Sequence, residues 1–254
     1  IAWYRTLTGQ LENKRILKFR KKLFYKMATQ IIANSSATRN DLIANFKVEE
    51  KKINVVYNAV RDPELKAAII EKNKILYVGR MEEIKGISVL IEAIPLVLNK
   101  FPQTEFVFVG GNLKSAAIIG YINKSKALGI EGNVRFTGNK GKNDVLKEFS
   151  TAYFSVVPSL VEAFGYVVIE SFSVKTPVIG SNTTGISEII RNNVDGLLFE
   201  PKNSLDFAEK MILLLEDENL RNNFSKNCYQ RFREEFELKI AVENLVKTLE
   251  NKLS

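Results

Sequence analysis

From Lys74 to Phe199 short apolar runs alternate with helical stretches, and this alternation limits the folds open to the chain. The runs are Ile75–Val78, Glu105–Val109, Val134–Thr137, Tyr153–Pro158, Pro177–Gly180 and Gly196–Phe199. Runs this short and this apolar, separated by helices, predict strands buried on both faces: a parallel sheet with right-handed crossovers and helices on either side. In such a sheet ligands bind beyond the carboxyl ends of the strands, where the strand order reverses. The residues that follow strands are therefore the informative ones: Gly79-Arg80, Gly110-Gly111, Gly138-Asn139, Pro158-Ser159 and Ser181-Asn182.

The connecting helices are expected over 86–99, from Gly111 to about 128, over 144–151 and 166–174, and over 186–191; Pro95 is expected to kink or split the first of them. Three more helical stretches, about 204–216, 218–234 and 237–252, end the chain. Upstream, Gln30 to Ala33 and Lys52 to Tyr57 read as strands. Asn34-Ser35-Ser36 makes an N-cap cluster for a helix reaching Phe46. Arg61 to Asn73, with Asp62-Pro63, is the candidate linker. Residues 11–28 read as a helix whose Leu11, Ile16, Leu17, Leu23, Phe24 and Met27 are surrounded by Lys14, Arg15, Lys18, Arg20, Lys21, Lys22 and Lys26. That pattern fits either a solvated face or a helix lying on an anionic membrane surface.

Composition removes several functions. Of 254 residues 45% are hydrophobic, enough for one or two domains with a sizeable core. There is no histidine, so His-based metal sites and a Ser-His-Asp triad are excluded within this sequence. Cys228 stands alone, which fits a reducing compartment such as the cytoplasm. No apolar run reaches the roughly 18–20 residues of a membrane span. No signal peptide is visible, and the first residue, isoleucine, suggests a fragment. The net charge of +8 fits a phosphate-bearing ligand or an anionic surface; nucleic acid is disfavoured, because the basic helix at 11–28 accounts for the charge locally. Neither Gly-x-Gly-x-x-Gly after the first strand nor Gly-x-x-x-x-Gly-Lys-Ser/Thr occurs, which disfavours dinucleotide-binding dehydrogenases and P-loop enzymes.

Two stretches carry candidate chemistry. In Gly79-Arg80-Met-Glu-Glu-Ile-Lys85-Gly86, Arg80 follows a strand and Lys85 precedes a helix. Two cations there could hold a diphosphate and stabilise it as a leaving group; the alternative is an ordinary surface Arg and Lys. In Pro158-Ser-Leu-Val-Glu162-Ala-Phe164-Gly165-Tyr166-Val167-Val-Ile-Glu170, two acids flank a strand-to-helix turn. Gly165 lets backbone approach a ligand, and the helix start suits phosphate or a sugar hydroxyl. Glu170, roughly 7.5 Å along that helix, could accept hydrogen bonds from both hydroxyls of a ribose, and Glu162 would face a reacting sugar. The alternatives are an exposed loop acid for Glu162 and a buried salt bridge for Glu170. Thr184-Gly185-Ile-Ser-Glu188 could supply a cap or a contact, or simply start a helix.

Together these stretches resemble the retaining glycosyltransferase family 4 and its two-domain nucleotide-sugar transferase fold, GT-B. Pro158 to Glu188 resembles the family's two-glutamate motif and the segment after it. Val78-Gly79-Arg80 with Lys85-Gly86 resembles its phosphate-binding Arg and Lys, and Ile32 to Ser36 and Val56 to Val60 resemble the end of its N-terminal domain. The resemblance implies three parts: residues 1–66, a remnant of the acceptor-binding domain with the linker; 67–235, a Rossmann-like donor-binding domain; and 236–254, a helix packing back towards the N-terminal part. It implies a catalytic set of Glu162, Arg80 and Lys85. It implies donor binding by Glu170 at the ribose, by Gly79 and Gly110, by Gly138 near the base, and by Phe164, Gly165, Tyr166 and Val167 near the phosphates and sugar. No metal and no cofactor are expected beside a nucleotide diphosphate sugar. The implied acceptor is a saccharide or lipid-linked sugar in cell-surface polysaccharide or glycolipid synthesis, at the inner face of the membrane. A non-catalytic nucleotide-sugar-binding module and a sugar-nucleotide epimerase are the competing readings. Three positions depart from the family pattern: Ala59 and Thr184 stand where glycine is usual, and so does Lys175, where a left-handed backbone would cost roughly 1 kcal/mol.

Overall fold

The computed structural model describes residues 2–4, 21, 23–65 and 68–250. Two parallel sheets organise them. The smaller has the order β1-β2-β3, from Ala2–Tyr4, Ile31–Ala33 and Ile53–Val55. Helix α1, Ser36–Phe46, joins β2 to β3. The N-cap cluster expected at 34–36 works through Ser35: its Oγ accepts from the Thr38 amide, and the Thr38 hydroxyl accepts from the Ser35 amide, both at 3.0 Å. A reciprocal cap of this kind stabilises a helix by about 1 kcal/mol. Tyr25, Ile31, Leu42, Phe46 and Ile53 form the core beneath it. The basic helix expected over 11–28 falls largely outside the described residues; 23–27 are helical, with Leu23, Phe24 and Met27 exposed.

The larger sheet is built from β4 (Glu71–Val78), β5 (Glu105–Val109), β6 (Val134–Gly138), β7 (Ala152–Val157), β8 (Val178–Ser181) and β9 (Gly196–Phe199). Its order is β6-β5-β4-β7-β8-β9, all parallel. The order therefore reverses between β4 and β7, and the loops leaving those two strands border the crevice where a ligand is expected. The crossover helices are α2 (Ile87–Leu98), α3 (Ala116–Ala127), α4 (Lys142–Thr151), α5 (Tyr166–Ser173) and α6 (Thr184–Ser187). They are followed by α7 (Ser204–Glu216), α8 (Glu218–Arg231), a π-helical turn Phe232–Phe236, and α9 (Leu238–Glu250).

Four expectations need correction. Pro95 does not split α2, which runs unbroken through it: burial of Ile91, Ala93, Ile94 and Val97 outweighs the one hydrogen bond a proline removes. The helix expected at 186–191 sits earlier, because the Ile186 and Ser187 amides donate to Thr183 carbonyl. Helix α8 gives way to the π turn at Phe232, where Phe232 and Phe236 turn into a core with Phe164 and Phe172. The linker expected over 61–73 is shortened by β4, which starts at Glu71.

The passage from the smaller sheet to the larger meets the chain again where it leaves the π turn. The Val60 amide donates to Phe236 carbonyl at 3.1 Å, and the Leu238 amide to Val60 carbonyl at 3.0 Å. Asp62 accepts from Arg233 and from the Tyr229 hydroxyl, each at 2.8 Å. Lys175 does take up the left-handed backbone, φ 64°, and its ammonium lies 4.8 Å from the Tyr229 ring centre.

Candidate active site at the strand-order reversal

The loops leaving β4 and β7 are locked together. Gly86 has φ 70°, and a Cβ there would lie 1.9 Å from the Pro158 carbonyl oxygen. Only glycine permits that backbone and that approach. The Leu160 amide donates to Ile84 carbonyl at 2.9 Å, and the Ser181 hydroxyl to Ser159 carbonyl at 2.5 Å. Three strand-end loops thus form one rigid floor.

On this floor Lys85 and Glu162 meet, with Nζ and Oε2 2.6 Å apart. Both side chains are about four-fifths buried, at 18% and 20% exposure, so Glu162 is not an exposed loop acid. Arg80 follows Gly79 but turns to Glu82, 2.7 Å away, and stays largely in solvent. The reversal therefore gathers a paired cation and acid, with a second cation free to swing in from the rim.

Gly165, in a left-handed conformation, opens α5 without a side-chain cap. Phe164 is buried and packs on Tyr57, Tyr166 and Phe236, with ring centres 5.9–6.0 Å apart. Its side chain is therefore core, leaving only backbone for a ligand. Val167 is half-buried and Tyr166 more exposed. Glu170 is half-buried on the same helix, and among the described residues no ion pair or hydrogen bond holds its carboxylate. No described residue forms the buried salt bridge considered for it. Burial pushes its carboxyl above the ordinary range, and Lys142 at the start of α4 pulls the other way. Gly79, Gly110 and Gly138 end β4, β5 and β6; the Gly110 amide donates to Gly138 carbonyl at 2.8 Å, so that carbonyl is already engaged.

Two features escaped the sequence reading. Glu82 as the partner of Arg80 could have been suspected from its place two residues on. The partners that Ser35 and Glu188 find in the other sheet's unit could not, because both bonds span more than a hundred residues. A cavity of about 250 Å³ at the opposite end of the large sheet, bordered by Asp62, Arg221 and Tyr229, holds none of the candidate residues. The hydroxyls of Ser150, Ser173, Thr176 and Ser225 on its wall donate to main-chain carbonyls, so it is a satisfied gap beside the linker.

Comparison with known proteins agrees with this geometry. The sequence profile described as "Glycosyl transferases group 1" matches residues 61–231, and that of "Glycosyltransferase Family 4" matches 2–62. The chain is 30% identical over 226 residues to the N,N'-diacetylbacillosaminyl-diphospho-undecaprenol alpha-1,3-N-acetylgalactosaminyltransferase of Campylobacter jejuni, covering 82% of this chain and 57% of the relative. It is 26% identical over 245 residues to the capsular polysaccharide biosynthesis glycosyltransferase CapM of Staphylococcus aureus, covering 91% of this chain and 63% of that protein. The chain thus spans roughly six-tenths of the curated relatives it matches. Among solved structures, Anabaena HepE in complex with UDP superposes with a TM-score of 0.86 at 20% identity, over 98% of this chain and 71% of that one. The fold is that of the GT-B glycosyltransferases, and the chain belongs to the group 1 glycosyl transferases.

Proposed function

We propose that this chain carries the donor site of a retaining family 4 glycosyltransferase, one that moves a sugar from a nucleotide diphosphate sugar to a saccharide or lipid-linked acceptor. The observation that carries the reading is the Lys85–Glu162 pair set into the crevice where the strand order reverses, with an uncommitted Glu170 on the helix that follows. Lys85 and Arg80 grip the diphosphate and neutralise its charge as it leaves, so no metal is called on. Swinging Arg80 away from Glu82 breaks only an exposed ion pair, which costs little. Glu170 accepts from the ribose hydroxyls, the start of α5 meets the phosphates and sugar, and the loop after Gly138 meets the base. Glu162, released by Lys85, faces the donor sugar.

The bond between the sugar's anomeric carbon and the phosphate oxygen breaks. The acceptor oxygen bonds from the same face, and its proton passes to the departing phosphate. In this reading residues 67–235 form the donor unit, 1–66 belong to the acceptor-binding unit, and 236–254 pack back on it. The undecaprenol-linked substrate in the name of the Campylobacter relative and the capsular role in that of CapM support a lipid-linked acceptor at the inner face of the membrane and a place in surface-polysaccharide synthesis. Among the described residues no helix is long and apolar enough to cross a membrane.

Calorimetry with UDP, GDP and ADP, and with sugars attached to each, tests the reading. One nucleotide series is expected to bind to the wild-type chain, and Glu170→Ala and Lys85→Ala each to weaken it at least tenfold. Binding that ignores both substitutions, or no binding at all, overturns it. Analysis of products formed from donor alone separates transfer and slow hydrolysis from epimerisation, and an absence of any turnover beside tight binding favours the binding module.

A further inference from the structure

Glu188 lies on none of the strand-end loops that hold the donor, yet its carboxylate makes two bonds to the other sheet's unit. Oε1 accepts from the Ser36 amide at 2.5 Å and Oε2 from the Ala37 amide at 3.1 Å. These are the first two amides of α1. The third, of Thr38, goes to Ser35, and the fourth, of Arg39, to the Ser35 carbonyl. The helix start therefore completes its hydrogen bonding only by borrowing an acid 152 residues away. The acid is also the charge that the positive end of a helix favours.

The same junction touches the reaction loop directly. The Ser35 hydroxyl donates to Ala163 carbonyl at 2.8 Å, one residue from Glu162. Gly185, three residues before Glu188, lies so close to the loop that a Cβ would be 2.3 Å from the Glu162 carbonyl oxygen. Behind it, Arg231 donates to Glu188 carbonyl at 3.0 Å. Tyr57, on the passage between the sheets, packs its ring at a tilt against Phe164. Burial pushes its hydroxyl up to about 12, and the neighbouring Glu188 carboxylate adds to the rise. Helix α1 and the passage thus meet the Glu188 carboxylate, and the Glu162–Gly165 loop packs against Ser35 and Gly185 on either side of it.

We propose that Glu188 is a positioning residue for sugar transfer: it clamps the start of α1 against the Glu162–Gly165 loop, and so sets where the acceptor-side unit stands over the donor. This rests on the function proposed above. The nucleotide is held by Lys85, Arg80 and Glu170, none of which touches Glu188. Loosening the clamp therefore lowers turnover while leaving nucleotide binding intact.

Glu188→Gln keeps the shape and one acceptor oxygen but removes the charge. Glu188→Asp keeps the charge on a shorter arm. Hydrogen exchange of the Ser36 and Ala37 amides, calorimetry with the nucleoside diphosphate that binds to the wild type, and donor turnover are measured on the full chain. In Glu188→Gln the two amides are expected to exchange at least tenfold faster, kcat to fall at least tenfold, and both the nucleotide Kd and the donor KM to stay within twofold. Glu188→Asp is expected to recover part of the loss in kcat, which a merely structural acid would not dictate. Unchanged exchange at Ser36 and Ala37 overturns the clamp, as does a nucleotide Kd that rises in step with the loss of kcat. If no nucleotide binds to the wild type, the proposed function falls, while the exchange rates still decide whether the clamp exists.

Discussion

Two lysine–glutamate pairs lie towards opposite ends of β4, and they differ in how completely each is satisfied. Lys74, in the first half of β4, is almost fully buried and points at three acceptors: Glu148 at 2.7 Å, Glu71 at 3.2 Å and the Thr151 hydroxyl at 2.6 Å. Glu148 is shared in turn with Lys140. Lys85, past the end of the same strand, has among the described residues a single partner in Glu162 and some contact with solvent. An ammonium carries three donors. The first lysine has placed all of them and the second has not. A saturated pair holds a fold together, whereas a pair with spare donors and a rim open to water can exchange one partner for a phosphate. Their chemical composition is the same, and only the count of partners and the burial separate their roles.

The sharpest way to break this contrast is to remove each lysine. Lys74→Ala leaves Glu148 and Glu71 without their buried partner and is expected to cost about 3–5 kcal/mol, read from urea denaturation. Lys85→Ala is expected to cost less, about 1–3 kcal/mol, since Glu162 loses its partner but keeps some contact with solvent, while nucleotide affinity falls at least tenfold. Equal destabilisation by the two would make Lys85 a structural lysine. A smaller effect is expected at the joint beside it. Gly86→Ala forces a methyl against the Pro158 carbonyl in a left-handed backbone and is expected to cost about 2–4 kcal/mol. It should also weaken nucleotide binding, because the two loops separate. Stability lost with affinity unchanged would show that the locked floor is not what positions Lys85.

The contrast also explains what could be read from the sequence. The apolar runs that end at Gly79, Gly110, Gly138 and Pro158 placed the strands and hence the reversal, because burial on both faces leaves little freedom in residue type. The two acids of the β7–α5 turn were visible by spacing alone. What each charge pairs with was not. Lys85 finds Glu162 across 77 residues, and Lys74, which reads as an ordinary polar residue at the start of a strand, is buried because α4 closes over it. Glu188 reads as part of a short helix, and only the packing of the two sheets shows that it caps another one. Partner choice over such distances is decided by tertiary packing, to which local periodicity is blind. Pro95 makes the same point in reverse: the local rule predicts a break, and four buried side chains override it.

The gentlest test compares two carboxylates rather than two lysines. Burial pushes Glu148 up, but hydrogen bonds from Lys140 and Lys74 outweigh it and leave the carboxyl below its ordinary value of 4.5. Its ionised form therefore stabilises the fold at neutral pH, and that stability is lost as pH falls through the lowered value. Burial also pushes Glu170 up, and Lys142 offsets only part of the rise, so its carboxyl stays above 4.5. The folded chain then holds that proton to a higher pH than the unfolded chain does. Ionising Glu170 costs stability above the raised value, and the cost vanishes below the ordinary one. The two isosteric substitutions should accordingly have opposite signs at pH 7. Glu148→Gln is expected to destabilise, and Glu170→Gln to stabilise by about 0.5–1 kcal/mol; the Glu170 difference shrinks towards zero as pH falls below 4.5, whereas the Glu148 difference persists there and fades only as pH falls through its lowered value. Urea midpoints across pH 4–7 measure this. A fold that gains stability when Glu170 is neutralised, yet loses its nucleotide, keeps that acid for the ligand. Loss of stability in Glu170→Gln at pH 7 would instead place Glu170 with Glu148, among the acids that hold the sheet.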